Sequence, residues 1–182
     1  DNQLNVMTFY HDEVRNFVNY ALSNIDKAHY GGEFGIEAKL VPNVTMNAAA
    51  SIGRYYYTSR QNAVVTVDNN SSQLDVNQSK QTIYSENFRV PSTPQEAYSL
   101  GITYRSPNYW FVSLTGNYFN QMWLEFNPIR RTQGAVDGID RNTAEGESLY
   151  HDIIDQTQWN SQFTLDFFGG YSYKLSNRKF HM

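Results

Sequence analysis

Residues 30–60 read YGGEFGIEAKLVPNVTMNAAASIGRYYYTSR, and the period of that stretch decides the fold. Tyr30, Gly32, Phe34, Ile36, Ala38 and Leu40 form one row; Gly31, Glu33, Gly35, Glu37 and Lys39 form the other. A helix would mix the two rows around its circumference, whereas a strand sends them to opposite faces. Val41, Pro42 and Asn43 then signal a turn. Beyond it the alternation restarts, with Val44, Met46, Ala48, Ala50 and Ile52 against Thr45, Asn47, Ala49, Ser51 and Gly53. Each run reaches about ten residues, roughly twice the usual soluble strand. A tilted strand of ~9–11 residues crosses a bilayer.

Working outward, residues 98–105 alternate in the same way, and Ser106, Pro107 and Asn108 make a second short turn. Residues 110–119 and 162–174 alternate again. Ser176 and Asn177 make a third turn, after which a new strand opens at Arg178. Residues 4–20 read as one strand of poor phase, and residues 21–29 as a polar connection. Residues 61–94 and 126–159 are long and polar. Weak alternation at 63–67 and 81–84 reads as strand extensions beyond a membrane, and 144–154 as a short helix. Three short turns therefore alternate with two long loops. Outer-membrane barrels are built this way, with short periplasmic turns and long extracellular loops.

Composition agrees. Aromatic residues make up 15% of the chain and charged residues only 18%, so its hydrophilicity comes from Asn, Gln, Ser and Thr. That mixture suits a polar lumen, an apolar exterior and aromatic belts. The net charge of -4, without a basic run, argues against nucleic acid. With no Cys there is no disulfide frame and no thiolate metal site. No apolar run is long enough for a transmembrane helix. The expected fold is all-β: about six or seven strands of an antiparallel up-and-down transmembrane barrel over residues 1–182.

In such a barrel the apolar rows meet lipid and the polar rows line the lumen. Glu33, Glu37, Lys39, Arg105, Asp166 and Lys174 all fall in polar rows. A charge at the lipid midplane costs ~2–4 kcal/mol, so a register slip would be expensive. Tyr55, Tyr56 and Tyr57 lie at one end of the strands, and Tyr104, Tyr109, Trp110 and Tyr173 next to the short turns. These are the expected outer and inner aromatic girdles.

Three phrases carry a family resemblance: NIDKAHYGGEFGIEAKL, TIYSENFRVPSTPQEAYSLGITYRSPNYW and LTGNYFNQMWLEFNPIRRT, in that order. Together they resemble the C-terminal barrel portion of TonB-dependent outer-membrane receptors of the type common in Bacteroides and its relatives. The resemblance implies nutrient uptake through a plugged barrel of about 22 strands. The implied partners are outer-membrane lipid and lipopolysaccharide, the remainder of the barrel and plug, and the TonB complex. The implied cargo is a small nutrient ligand: a siderophore, vitamin, glycan or peptide. The bacterial outer membrane is the implied location. Size departs from the family, with no recognisable plug or TonB-contact segment, so the chain looks like a piece of something longer. Six or seven strands would leave two open edges, which lipid does not tolerate.

Little in the chain suggests catalysis. His11, His29, His151 and His181 are isolated, and no metal or cofactor is expected. Asp137, Asp140 and Glu145 lack the spacing of a calcium loop. Glu33 and Glu37 stand about 13 Å apart along a strand, too far for a glycosidase pair. Trp123, Arg130, Arg131, Tyr150 and Trp159 sit in the long loops, where aromatic and Arg side chains suit ligand capture. Two other functions fit part of the pattern: a small self-contained barrel acting as an adhesin or structural protein, and a soluble β-sandwich binding glycans.

Overall fold

The computed structural model describes residues 3–11, 16–67 and 80–173. The chain is all-β, with one α-helix among the described residues. Its strands in order are β1 (Gln3–His11), β2 (Asn16–Ile25), β3 (Lys27–Val41), β4 (Val44–Tyr57), β5 (Gln61–Val67), β6 (Lys80–Ile83), β7 (Glu96–Arg105), β8 (Trp110–Asn120), β9 (Met122–Trp123), β10 (Gln158–Trp159) and β11 (Gln162–Tyr171). Helix α1 spans Ala144–Ile154, after short 3-10 turns at Pro128–Arg131 and Gln133–Ala135. The chain divides into two compact units. One comprises Tyr30–Gly53, Thr93–Met122 and Trp159–Met182; the other comprises Asp1–His29, Arg54–Ser92 and Trp123–Gln158.

The first unit is a five-stranded sheet in the order β11-β8-β7-β4-β3. Its register puts like with like. Val44, Tyr104, Val112 and Gly169 stand side by side across β4, β7, β8 and β11. Met46, Ile102, Leu114 and Phe167 form the next row, then Ala48, Leu100, Gly116 and Leu165, then Ala50, Tyr98, Tyr118 and Phe163. The intervening residues, which point the other way, form rows such as Asn47, Gly101, Thr115 and Asp166. A one-residue slip in any strand would exchange the two sets. Tight connections hold the register at one end. Residues 42–43 turn between β3 and β4. Ser106 N donates to Trp110 O (2.8 Å) across the β7–β8 turn, where Tyr109 takes φ 64°. Arg105 N donates to Asn43 O (2.8 Å) and ties the two turns together.

Among the described residues, no residue of this unit, which takes β4 only as far as Gly53, belongs to the hydrophobic core. Leu114 is 47% exposed and Phe167 74%. Among the described residues the sheet does not close into a barrel, and β3 and β11 are its edges. Lys174, the turn at Ser176 and Asn177, and the strand expected from Arg178 lie outside the described residues.

The second unit departs from the sequence expectation. Residues 4–20 are not one strand: β1 and β2 are antiparallel partners, with Met7 opposite Tyr20. Nor are residues 21–29 a connection, because β2 runs to Ile25 and β3 begins at Lys27. The poor phase has a physical cause. The chain reverses between the two strands, and the pairing shifts between Gln3–Ile25 and Asn5–Leu22. Asn24 takes φ 57° at that shift, so Ile25 reaches the same interior as Leu22 despite opposite parity.

The segments expected as membrane-clearing strand extensions are β5 and β6 of this unit's sheet, ordered β1-β2-β5-β6. One face is dry. Tyr20 pairs with Val65 and Leu22 with Ala63, and Gln61 pairs with Ile83. Tyr20, Leu22, Ala63, Val65 and Ile83 gather with Val18, Ile25, Tyr57 and Phe126 into a core against which Phe88, Val90 and Ile129 pack, and Gln61 is buried beside them. Leu22 and Ile83 are almost fully buried, each worth ~1.5–3 kcal/mol relative to exposure. The described residues of the long connections are therefore folded structure rather than solvated loop.

Candidate functional site

Two features carry chemistry, one in each unit. The first is the two-faced sheet. Its apolar face carries no charge in the four rows given above. Phe163 leans over Gly116, where an added Cβ would lie 3.4 Å from its ring, and Tyr98 stacks on Tyr118 at 6.3 Å. The next row on this face, at the end away from the short turns, sets Ile52 beside the Glu96 carboxylate and Asn120. Asn120 and Gln121 donate to that carboxylate at 3.0 and 2.8 Å.

The other face is a hydrogen-bonded ladder. Thr103 and Ser113 hydroxyls meet at 2.9 Å. Ser99 Oγ donates to Asn117 Oδ1 (2.8 Å), and Asn117 Nδ2 donates to Thr164 Oγ1 (3.1 Å) and Asp166 Oδ2 (2.9 Å). Arg105 lies over the Phe111 ring (5.5 Å), which packs on Phe168. Glu33, Glu37 and Lys39 are exposed on β3. Near the short turns Tyr104 packs on Trp110 (5.1 Å), with Tyr109 and Tyr173 exposed. Tyr57 is a correction to the girdle expectation. It is only 8% exposed and packs edge-on against Phe126, so its ring serves the core of the other unit. Tyr55 and Tyr56 are half-buried, Tyr55 against His29.

The second feature is a cavity of about 240 Å³ in the unit built from the long connections. Tyr84, Phe88, Arg131, Val136, Tyr150 and Ile154 line it, with Thr132, Gln133 and Asp155. Local rules position these groups. Asn127 Oδ1 accepts from Ile129 N (3.0 Å) and caps the turn that Pro128 opens, which delivers Arg131 at its end. Thr143 Oγ1 accepts from Gly146 N (3.0 Å) and caps α1. Glu145 and Glu147 in the first turn and His151 in the last suit the helix dipole. Tyr150 and Ile154, four apart, fall on one helix face and reach the cavity. Glu147, His151 and Asp155 fall on another, linked at 3.3 and 3.2 Å. The Gln156 side chain closes the fold, accepting from Arg89 N and donating to Arg89 O, both at 2.7 Å.

Arg131 is 6% exposed. Its Nη2 donates to Asp155 O (2.7 Å), its guanidinium lies 5.3 Å from the Phe88 ring centre, and its backbone O accepts from Tyr84 N. Burial pulls its pKa below the ordinary arginine value, Arg130 adds to that, and Asp155 partly opposes it.

Of the five loop residues singled out in the sequence, the structure brings Arg131 and Tyr150 together in this cavity. Arg130 is exposed, Trp123 is half-buried and Trp159 is 52% exposed; none of the three lines it. Sequence reading missed Tyr84, Phe88 and Ile154; Tyr84 and Phe88 lie more than 40 residues before Arg131, and Ile154 lies on a different element after it, so no local pattern joins them. Among the described residues no group of three side chains could hold a metal ion. Among the described residues no helix is long and apolar enough to cross a membrane. No family model matches the chain, and no curated protein or solved structure matches it either.

Proposed function

We propose that the five-stranded sheet is a stretch of wall from an outer-membrane β-barrel, and that the chain serves a TonB-dependent nutrient import receptor. One observation carries the membrane part: four apolar rows stand in register on one face, uncovered, while the opposite face is hydrogen-bonded and carries Asp166. From Val44 to Ala50 the four apolar rows span about 20 Å at ~3.3 Å per residue, most of the ~25 Å apolar band of outer-membrane barrels. A soluble protein rarely leaves so large an apolar area open. In water it would be an aggregation surface; in lipid it is the favourable contact. The unpaired edges at β3 and β11 would pair with further strands, since lipid tolerates no open edge.

The receptor part rests on the resemblance and on the alternation of short turns with long connections. In this reading the folded connections face the outside and meet the nutrient, while plug and TonB complex couple uptake to energy. The soluble sandwich is less well supported, because it would have to bury the apolar rows.

The test uses the absence of native Cys. Single cysteines at Leu114 and Phe167, and at Ser113 and Thr115, are labelled with a fluorophore in the full-length protein in bilayers. Nitroxide-bearing lipids should quench the first pair and spare the second. Equal quenching on both faces, or a protein that stays in the aqueous fraction without detergent, would overturn the reading.

A further inference from the structure

The Arg131 cavity is lined by a buried guanidinium that makes no ion pair with a carboxylate among the described residues. A buried guanidinium normally meets a carboxylate, because an uncompensated charge out of water costs several kcal/mol. Two exposed arginines near the cavity do meet carboxylates. Arg60 lies over the Tyr84 ring and pairs with Glu86 (3.4 Å). Arg141 lies over the Tyr150 ring and grips Glu147 with two hydrogen bonds of 2.9 and 3.0 Å. Tyr84 and Tyr150 both line the cavity, so paired arginines flank its walls. Arg131 lines it from within and pairs with no carboxylate among the described residues. Its Nε is buried and has no hydrogen-bond partner. Asp155, the acid beside it, offers its backbone O to Arg131 and turns its carboxylate to His151.

We infer that this cavity binds a small organic anion, a carboxylate carried on a short or single-ring apolar body, with Arg131 receiving the charge. The walls select the body. Phe88, Val136, Tyr150 and Ile154 offer apolar and aromatic contact that a bare inorganic anion would leave unused. The volume of about 240 Å³ lies below the ~300 Å³ at which pockets begin to take drug-sized ligands, so a single ring fits and a large solute does not. A neutral ligand would leave the guanidinium uncompensated. A planar guanidinium donates to a carboxylate through charge-assisted hydrogen bonds. This inference concerns only the unit built from the long connections, and it holds whichever solvent the five-stranded sheet faces.

The experiment is a titration of the full-length protein, in detergent, with three probes: benzoate, its neutral counterpart benzamide, and inorganic phosphate. Binding is read by calorimetry and by saturation-transfer NMR. Benzoate should bind at least about tenfold more tightly than benzamide, the margin expected for a hydrogen bond to a charged group. It should also exceed phosphate by a clear margin. Arg131→Gln should abolish the preference for benzoate over benzamide. Because Arg131 also ties the fold through Asp155 and Phe88, Val136→Trp serves as a second variant that fills the cavity and keeps the arginine. It should abolish benzoate binding while the thermal melt stays near that of the parent. Absence of benzoate binding at millimolar concentration would overturn the inference. So would equal affinity for benzamide, phosphate binding as tight as benzoate, or benzoate binding that survives Val136→Trp. The nitroxide quenching of the sheet decides the membrane reading separately.

Discussion

Leu114→Arg tests the two-faced sheet with a magnitude that differs sharply between environments. Leu114 sits on β8 in an inner row of the apolar face, between Ile102 of β7 and Phe167 of β11. It is 47% exposed. If that face meets lipid, an arginine there costs ~2–4 kcal/mol near the bilayer midplane. At ~1.4 kcal/mol per tenfold, that shifts the folding equilibrium by roughly thirty- to a thousandfold. If the face meets water, the same change is a surface substitution worth within about ±0.5 kcal/mol. Thr115→Arg is the control, one residue along and on the opposite face, beside Asp166. It should cost little in either setting and gain a carboxylate neighbour. The assay is urea-driven unfolding of the full-length protein reconstituted in lipid vesicles, followed by tryptophan fluorescence. A Leu114→Arg protein as stable as Thr115→Arg would refute the argument that this face is the lipid-facing one.

Gly31→Ala should destabilise by ~1–3 kcal/mol, because its Cβ would meet backbone at 2.5 Å from Ile52 O and 2.7 Å from Gly53 Cα. Gly32→Ala has open space and should be neutral or stabilise by up to ~1 kcal/mol; chemical denaturation of both variants compares them, and equal effects would contradict the close approach. Gln156→Leu removes both hydrogen bonds to Arg89 and leaves its backbone groups unmet, an expected loss of ~1–3 kcal/mol in urea unfolding, and a loss under ~0.3 kcal/mol would make the clamp incidental. The His151 pKa is raised, first by its hydrogen bond to Asp155, then by that carboxylate's charge and by Glu147. A raised folded value means that the pairs on α1 are fully made below the ordinary His pKa of ~6.5 and are lost as pH rises through the folded value. NMR titration of the imidazole should therefore give a midpoint above that of an unfolded histidine, lowered again in Asp155→Asn; a midpoint at or below the unfolded value would remove the pairing.

By itself the sequence determined the five long strands, their turns and which side chains share a face. A strand's period is local, so Phe163, Leu165 and Phe167 announce a common face without any partner. Helix α1 was legible for the same reason, since Thr143 and the acids after it are a local signal. Only the tertiary structure decided that residues 61–67 and 80–83 bury Ala63, Val65 and Ile83 beside the β1–β2 hairpin. Burial there depends on pairings some forty residues apart, and on β2 the Asn24 shift breaks the parity that would have joined Ile25 to Leu22. The cavity is the extreme case. Arg131 stood out as a loop arginine, but nothing near it in the chain says that Phe88 lies against it, that Asp155 offers it a backbone oxygen, or that it makes no ion pair with a carboxylate among the described residues. A residue's period is written in its neighbours along the chain, whereas its burial and its partners are set by segments that meet only when the chain has folded.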